Sequence, residues 1–245
     1  MGLTIHFKLT ASAAGGAAQA KRLVESMLRV ALRFQRERLV AKVRPITSDA
    51  KTLHRFGRDW LMLPVAGEPD TSTGVEVSPS EGFLFWVDVG EDCEPLWLGL
   101  CRYPPVVFRQ GQEFQTKLDS GWRLAGFSKT QYASLHGWEH FRRCHCAVVN
   151  LLTACRSPDL HVKISDEGGY WPRRSLTTLR RNLDQMNGWV AATAGALKDW
   201  DDTATGPSGV QSPIFAHRNF ERLEAEGATR VGPVLAKLRA AIHNA

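Results

Sequence analysis

The spacing of apolar residues changes along the chain, and these changes constrain the fold more than any other feature. Residues 3–9 alternate apolar and polar side chains, which predicts a half-buried strand. From 17 to 43 apolar residues recur every three or four positions with arginines between them, which predicts an amphipathic helix ending before Pro45. Short aromatic and branched runs follow, bounded by Gly, Pro, Asp and Ser, and they indicate strands at 60–65, 83–89 and 96–101.

The second half of the chain returns to helical spacing after one more strand-like run at 122–127. Apolar stripes at three- and four-residue intervals predict long helices over 138–156 and 175–200. Between them, residues 160–164 alternate apolar and polar side chains, which predicts another strand.

The order of these segments predicts an α+β fold in which a single sheet, mixed or antiparallel, is packed by the three longer helices. The composition of 201–212 predicts a flexible loop before two short C-terminal helices, at 215–226 and 231–243. This loop lies too late to divide two full domains, so we expect 1–245 to form one domain. A content of 43% hydrophobic and 23% charged residues is typical of a globular chain and excludes global disorder.

The sequence also contains signals about compartment. No stretch approaches the roughly 18 consecutive apolar residues of a transmembrane helix, and the N-terminus lacks the regions of a secretory signal peptide. Five cysteines, an odd number without framework spacing, are typical of free thiols in a reducing compartment. The sequence therefore predicts a cytoplasmic protein with no membrane partner.

Charge is segregated along the chain, although the formal net charge is only +6. Segment 21–44 has eight basic residues and two acids, 59–101 has nine acids and no Lys or Arg, and 168–183 has four arginines and no acid. Such segregation is typical of a solvated face, of pairing within the chain, or of a surface for an acidic partner. The candidate binding residues for such a partner are Arg29, Arg33, Arg36, Trp171, Arg173, Arg174, Arg180 and Arg181.

Trp171 is included because aromatic rings interleaved with arginines can stack on bases while the cations hold phosphates. The same pattern is also typical of a protein-interface anchor, or of core aromatics beside a helix start that Ser175 would cap.

The densest group of reactive side chains lies between 127 and 171. If the strands at 122–127 and 160–164 are neighbours, one end of the sheet brings together a set suited to acid–base chemistry. These candidate catalytic residues are Lys129, Tyr132, His140, Asp166 and Glu167. The alternative is a turn with solvated acids and capping residues.

The spacing of four potential ligands decides whether they could bind one metal ion. They are His140, Cys144, His145 and Cys146. His140 and Cys144 would lie one helical turn apart, but Cys144 and Cys146 would point about 200° apart and cannot share an ion. The apolar stripe of this helix also accounts for these residues. They would be buried core cysteines and a histidine whose hydrogen bonds are made within the protein. No nucleophile elbow or phosphate-binding loop is present, so we expect no metal and no cofactor.

Three segments of the chain resemble a family of uncharacterised bacterial proteins. They are KTQYA at 129–133, HFRRCH at 140–145 and SDEGGYW at 165–171. The resemblance is confined to the stretch from 127 to 171. It implies a soluble bacterial protein and implies no activity.

Two classes of function follow from these observations. The favoured hypothesis is a binding or accessory protein whose basic surface takes an acidic partner, either nucleic acid or an acidic protein, since charge is segregated and no catalytic motif is complete. The alternative is a hydrolase- or nuclease-like enzyme that uses the acid–base group. A third hypothesis, a subunit of a larger assembly, would use the acidic 59–101 segment. The patterns leave the oligomeric state open.

Overall fold

The computed structural model describes residues 3–65, 68–109, 111–201 and 211–229. The strands in this part of the chain are β1 (Thr4–Ser12), β2 (Lys42–Val43), β3 (Asp59–Val65), β4 (Glu68–Val77), β5 (Glu81–Asp88), β6 (Leu96–Arg102), β7 (Val106–Arg109), β8 (Gln112–Gln115), β9 (Gly121–Lys129) and β10 (His161–Asp166). The α-helices are α1 (Gly16–Arg36), α2 (Ala50–Phe56), α3 (Trp138–Ala154) and α4 (Leu176–Asp201), with a further helical segment over 220–229. Short 3₁₀ helices occupy Ala13–Gly15, Gln131–His136 and Pro213–Ala216.

Six strands form the main sheet in the order β10-β1-β9-β6-β5-β2. Every neighbouring pair is antiparallel, and two hairpins, β3–β4 and β7–β8, form separate two-stranded sheets. The predicted α+β fold, with one main sheet packed by helices, is confirmed, and of the two sheet types the antiparallel one is present. The acid–base hypothesis requires β9 and β10 to be neighbours, but both are paired with β1, which lies between them.

Alternation along the strands explains where the core lies. In β1 the side chains of Ile5, Phe7 and Leu9 are buried, whereas those between them face the other side of the sheet. The apolar stripes of α1 and α3 pack on the buried side and belong to the same core cluster. We call this side the inner face of the sheet and the opposite side the outer face.

The first long helix is shorter than the apolar pattern predicts. α1 ends at Arg36, and Arg38 adopts the left-handed conformation with φ of 57°. The amide of Leu39 donates to the carbonyl of Phe34 and the amide of Arg38 to that of Gln35, which is the hydrogen-bond pattern of a Schellman cap. The prediction of helix as far as 43 is therefore wrong, because this cap stops the helix without the usual glycine.

Other differences concern the polar segments. The stretch 67–74, which lies between the predicted strands at 60–65 and 83–89, forms most of β4 from residue 68 onward and pairs with β3. Residues 202–210 and 231–243, expected as loop and helix, lie outside the described residues. A smaller apolar cluster joins α4 to Ile214 and Leu223, and Met186 packs against both this cluster and the main core. The single-domain organisation stays a prediction.

None of the helices in the described ranges is sufficiently long and apolar to cross a membrane.

Candidate functional site

The outer face of the sheet is only partly covered by the described residues. Over β5 and β6 it is covered by α2 and the start of β3: the Phe56 ring stacks on Trp97 with centroids 4.1 Å apart. The Asp59 carboxylate lies 2.7 Å from the Arg123 guanidinium of β9. The outer faces of β10, β1 and the end of β9 extend beyond this cover, and His6, Lys163 and Phe127 are exposed there.

The pairing register defines which side chains share this open face. Residues directly opposite each other in antiparallel strands point to the same side. In the order β10, β1, β9, the three rows on the outer face are Ser165–His6–Phe127, Lys163–Lys8–Ala125 and His161–Thr10–Arg123. Lys8 and Lys163 are thus direct cross-strand neighbours, an arrangement that is electrostatically unfavourable unless an anion lies above it.

A groove of about 980 Å³ runs along the boundary between the covered and open parts of the outer face. Its lining is rich in aromatic rings: Phe56, Trp60, Trp86, Trp97 and Phe127. Large apolar groups are unusually exposed at its edge, with 58% of Trp60 and 53% of Phe127 accessible to solvent. Exposed aromatic groups that cluster around a concavity are typical of a binding surface.

The charges around the groove leave an excess of cations. The two acids that line the groove are each paired with a cation: Asp59 contacts Arg123, and Glu94 lies 3.6 Å from the Lys129 ammonium. Arg58 on the groove wall pairs with Glu76 at 2.7 Å. By contrast, Lys8, Lys163 and Arg55 have no acidic partner within ion-pair distance among the described residues. These three cations are available to an anionic ligand.

A second polar arrangement lies inside the protein, between α3 and the sheet. His145 Nε2 is 3.0 Å from Asp166 Oδ1, and His145 Nδ1 is 2.8 Å from Thr130 Oγ1. With Asp166 ionised, the ring donates to it from Nε2, and the Thr130 hydroxyl is the hydrogen-bond partner of Nδ1. The order hydroxyl–imidazole–carboxylate is that of a nucleophilic relay. However, Thr130 and His145 are fully buried, so the hydroxyl is not accessible to solvent, and these contacts join α3 to the ends of β9 and β10.

The Asp166 carboxylate is held firmly in its ionised form. Burial acts to raise the pKa of Asp166, but the hydrogen bond and charge of His145, together with hydrogen bonds from the Trp171 and Gly168 amides, outweigh it and lower the pKa from its ordinary 3.8. The two amides donate to Asp166 over 2.8 and 2.7 Å. The carboxylate therefore fixes the turn after β10 as well as the orientation of His145.

The five candidate catalytic residues are distributed over separate contacts. Lys129 pairs with Glu94, and Asp166 with His145. Tyr132 lies half-buried in the 3₁₀ helix Gln131–His136.

The other two candidates, Glu167 and His140, contact different groups. Glu167 accepts from the Thr4 amide and lies 3.4 Å from His6. His140 contacts the Glu91 carbonyl and Arg143, because it is five positions from His145 and points about 140° away from it on α3. Among the described residues, no hydrogen bond or ion pair joins His140 to Asp166.

The candidate arginines lie on α1, in the segment after β10 and on α4. They differ in whether other groups of the protein already contact them. Arg29, Arg33 and Arg36 are exposed on α1, which packs on the inner face of the sheet and so lies across it from the groove. Arg180 is paired with Asp184 and lies over the Trp138 ring.

The remaining candidates follow β10. Arg173 and Arg181 are exposed. The Trp171 ring is occupied by two guanidinium groups, those of Arg156 and Arg174, at 4.9 and 5.0 Å. Arg174 also hydrogen-bonds Asn150 and Thr153 of α3. These contacts fasten the 170–174 segment to α3, so the structure favours the packing interpretation of Trp171.

Sequence reasoning missed the groove because its lining comes from five separate segments. One signal was present: in β9 the buried residues Trp122 and Leu124 set the alternation, and Phe127 falls at an outward position. One such residue is not sufficient to predict a binding surface; only a cluster of them is, and the cluster forms when the separate segments come together.

Within the described ranges, no group of three or more His, Cys, Asp and Glu side chains is arranged to hold a metal ion. No protein-family model, curated protein or solved structure gives a significant match to the chain.

Proposed function

We propose that the protein binds single-stranded nucleic acid in the groove on the outer face of its sheet. The observation that carries the proposal is the combination of the exposed Phe127 and Trp60 rings with the Lys8–Lys163 pair. Aromatic rings stack on bases of any sequence, while cations alongside follow the phosphates, and this pairing is the common mode of single-strand recognition.

A single strand fits these features better than other acidic partners. In a duplex the bases are stacked on one another and their faces are closed to protein side chains. An acidic protein would use the cations but has no need for two exposed aromatic rings beside them. The rings and the cations together therefore favour unpaired bases on a phosphate backbone.

The enzyme hypothesis receives less support from the geometry. The hydroxyl–imidazole–carboxylate relay is sealed inside the protein, and the five candidate catalytic residues make separate contacts. Binding is accordingly the function that we propose.

The proposal is tested by fluorescence anisotropy with a labelled single-stranded oligonucleotide, the same sequence as a duplex, and polyglutamate. We expect the single strand to bind most tightly. We expect Phe127→Ala to weaken single-strand binding by about 5- to 150-fold, since one stacked base contributes about 1–3 kcal/mol. Phe108→Ala is the matched control, because Phe108 is 74% exposed on the separate β7–β8 hairpin.

Three outcomes would contradict the proposal. One is no binding of the single strand at low salt, and another is equal loss of affinity in the Phe108→Ala and Phe127→Ala variants. Tighter binding of polyglutamate than of the oligonucleotide would assign the groove to an acidic protein instead.

A further inference from the structure

Glu167 lies on the outer face of the sheet, immediately after β10. Its amide donates to the Thr4 carbonyl at 3.1 Å, which continues the pairing of β10 with β1 by one residue. Its carboxylate accepts from the Thr4 amide through Oε2 at 3.0 Å, and Oε1 lies 3.4 Å from His6 Nε2. His6 lines the groove, and its ring lies beside that of Phe127 with centroids 6.1 Å apart. Glu167, His6 and Phe127 therefore follow one another across the outer face.

The row that contains the Phe127 ring lies between the pair of lysines and Glu167. Along β1, Lys8 comes two residues after His6, the cross-strand neighbour of Phe127. Glu167 contacts Thr4, which comes two residues before His6. Side chains two residues apart in a strand lie about 7 Å apart on the same face. A nucleotide whose phosphate lies over the lysines and whose base stacks on Phe127 therefore points the far edge of that base toward Glu167.

The Glu167 carboxylate has hydrogen-bonding capacity left for a ligand. An ionised carboxylate offers about four acceptor positions on its two oxygens, and the contacts with Thr4 and His6 use one on each oxygen. The side chain is 45% exposed. Among the described residues, no Lys or Arg lies within ion-pair distance of it. The Thr4 amide fixes the orientation of this carboxylate, and both oxygens keep a position for a donor on a ligand.

Guanine is the base whose edge matches a carboxylate. Its Watson–Crick edge has two adjacent donors, the N1–H and the 2-amino group, and a carboxylate accepts two parallel hydrogen bonds. Adenine and cytosine instead have an amino donor beside a ring nitrogen that is an acceptor. Thymine has one N–H between two carbonyls. Each of these three bases therefore places an acceptor against one carboxylate oxygen, and repulsion between acceptors disfavours them.

We propose that Glu167 recognises a guanine base stacked on Phe127, and that the groove therefore prefers single strands that contain guanine. This inference rests on the proposed function, because the base must lie in the groove for Glu167 to contact it. The carboxylate accepts from N1–H and the 2-amino group. His6 Nε2, which lies next to Oε1, donates to the guanine O6 in the tautomer that carries the proton on Nε2.

The test measures the affinity of the full-length protein for labelled oligothymidylates by fluorescence anisotropy at one salt concentration. The central base is thymine, guanine, adenine, cytosine or hypoxanthine, which is guanine without its 2-amino group. We expect the guanine oligonucleotide to bind about 10-fold more tightly than those with thymine, adenine or cytosine, since hydrogen bonds to a charged group are among the stronger ones in proteins. Hypoxanthine should give an intermediate affinity, because it keeps one of the two donors.

The Glu167→Gln variant assigns the preference to this side chain, because an amide offers one acceptor and one donor where the carboxylate offers two acceptors. We expect the ratio of the guanine affinity to the thymine affinity to fall to about one. Glu113→Gln, at an exposed position of the separate β7–β8 hairpin, should keep the wild-type ratio.

The outcomes separate this inference from the proposed function. Equal affinity of the wild type for all five oligonucleotides overturns the guanine preference and leaves the groove as a single-strand site. A preference for guanine that persists in Glu167→Gln overturns the role of Glu167. No binding of any of the oligonucleotides overturns both the preference and the proposed function.

Discussion

The Asp166→Ala variant is expected to lose about 3–5 kcal/mol of the free energy of unfolding. The substitution removes the acceptor of three donors, namely His145 Nε2 and the amides of Gly168 and Trp171. The side chains of Asp166 and His145 are both fully buried, so water does not replace the missing acceptor, and each unmet donor costs about 1–3 kcal/mol. In thermal denaturation we expect the melting temperature to fall by roughly 10 °C.

Asp159→Ala is the matched control for this loss. Asp159 is an exposed aspartate two residues before β10 with no ion pair among the described residues, and such surface changes usually stay within about 0.5 kcal/mol. If Asp166→Ala melts at the same temperature as Asp159→Ala, the buried relay does not stabilise the fold.

The Asp166 carboxylate also makes the free energy of unfolding depend on pH in the acid range. Because the pKa of Asp166 is lower in the folded protein than its ordinary 3.8, its contribution to stability is present above that value. The contribution is lost as the pH falls through the folded pKa. Wild-type stability should therefore decline more steeply below about pH 4 than that of Asp166→Asn, measured by denaturant unfolding across a pH series.

The Lys8→Gln/Lys163→Gln double variant is expected to lose about 25-fold in affinity for a single strand at 0.1 M salt. Each phosphate contact contributes a slope of roughly 0.7 to the dependence of log K on log salt concentration. Loss of two contacts lowers the slope by about 1.4. At 0.1 M salt, relative to 1 M, this change corresponds to about 25-fold weaker binding. Folding should not suffer, because removal of two like charges that face each other across strands relieves repulsion.

The control for this variant removes the same charge elsewhere. Arg29→Gln/Arg33→Gln acts on the exposed side of α1, across the sheet from the groove, and should leave the salt slope nearly unchanged. An equal or larger loss of slope in the α1 variant would show that the basic helix, and not the groove, contacts the phosphates.

The sequence predicts the main elements of the fold because their patterns are local. The alternation of Ile5, Phe7 and Leu9 with polar residues is sufficient to identify β1. The apolar stripe of α3 likewise identifies a helix with His145 on its buried side. The end of α1 was not predictable in this way, because Arg38 takes a left-handed conformation that the sequence signals only when glycine is present.

The sites depend on contacts between residues that are far apart in the sequence, and local sequence patterns do not predict such contacts. His145 and Asp166 both belong to the densest reactive stretch, but their pairing follows from the placement of β10 against α3.

Photo-cross-linking shows directly whether the nucleic acid lies in the groove on the outer face of the sheet. A single-stranded oligonucleotide is irradiated in complex with the wild-type protein, and the cross-linked peptides are identified by mass spectrometry. We expect cross-links to Phe127, Trp60 and His6, which are exposed around the groove. Cross-links confined to the arginines of α1 or to residues 173–181 would contradict it.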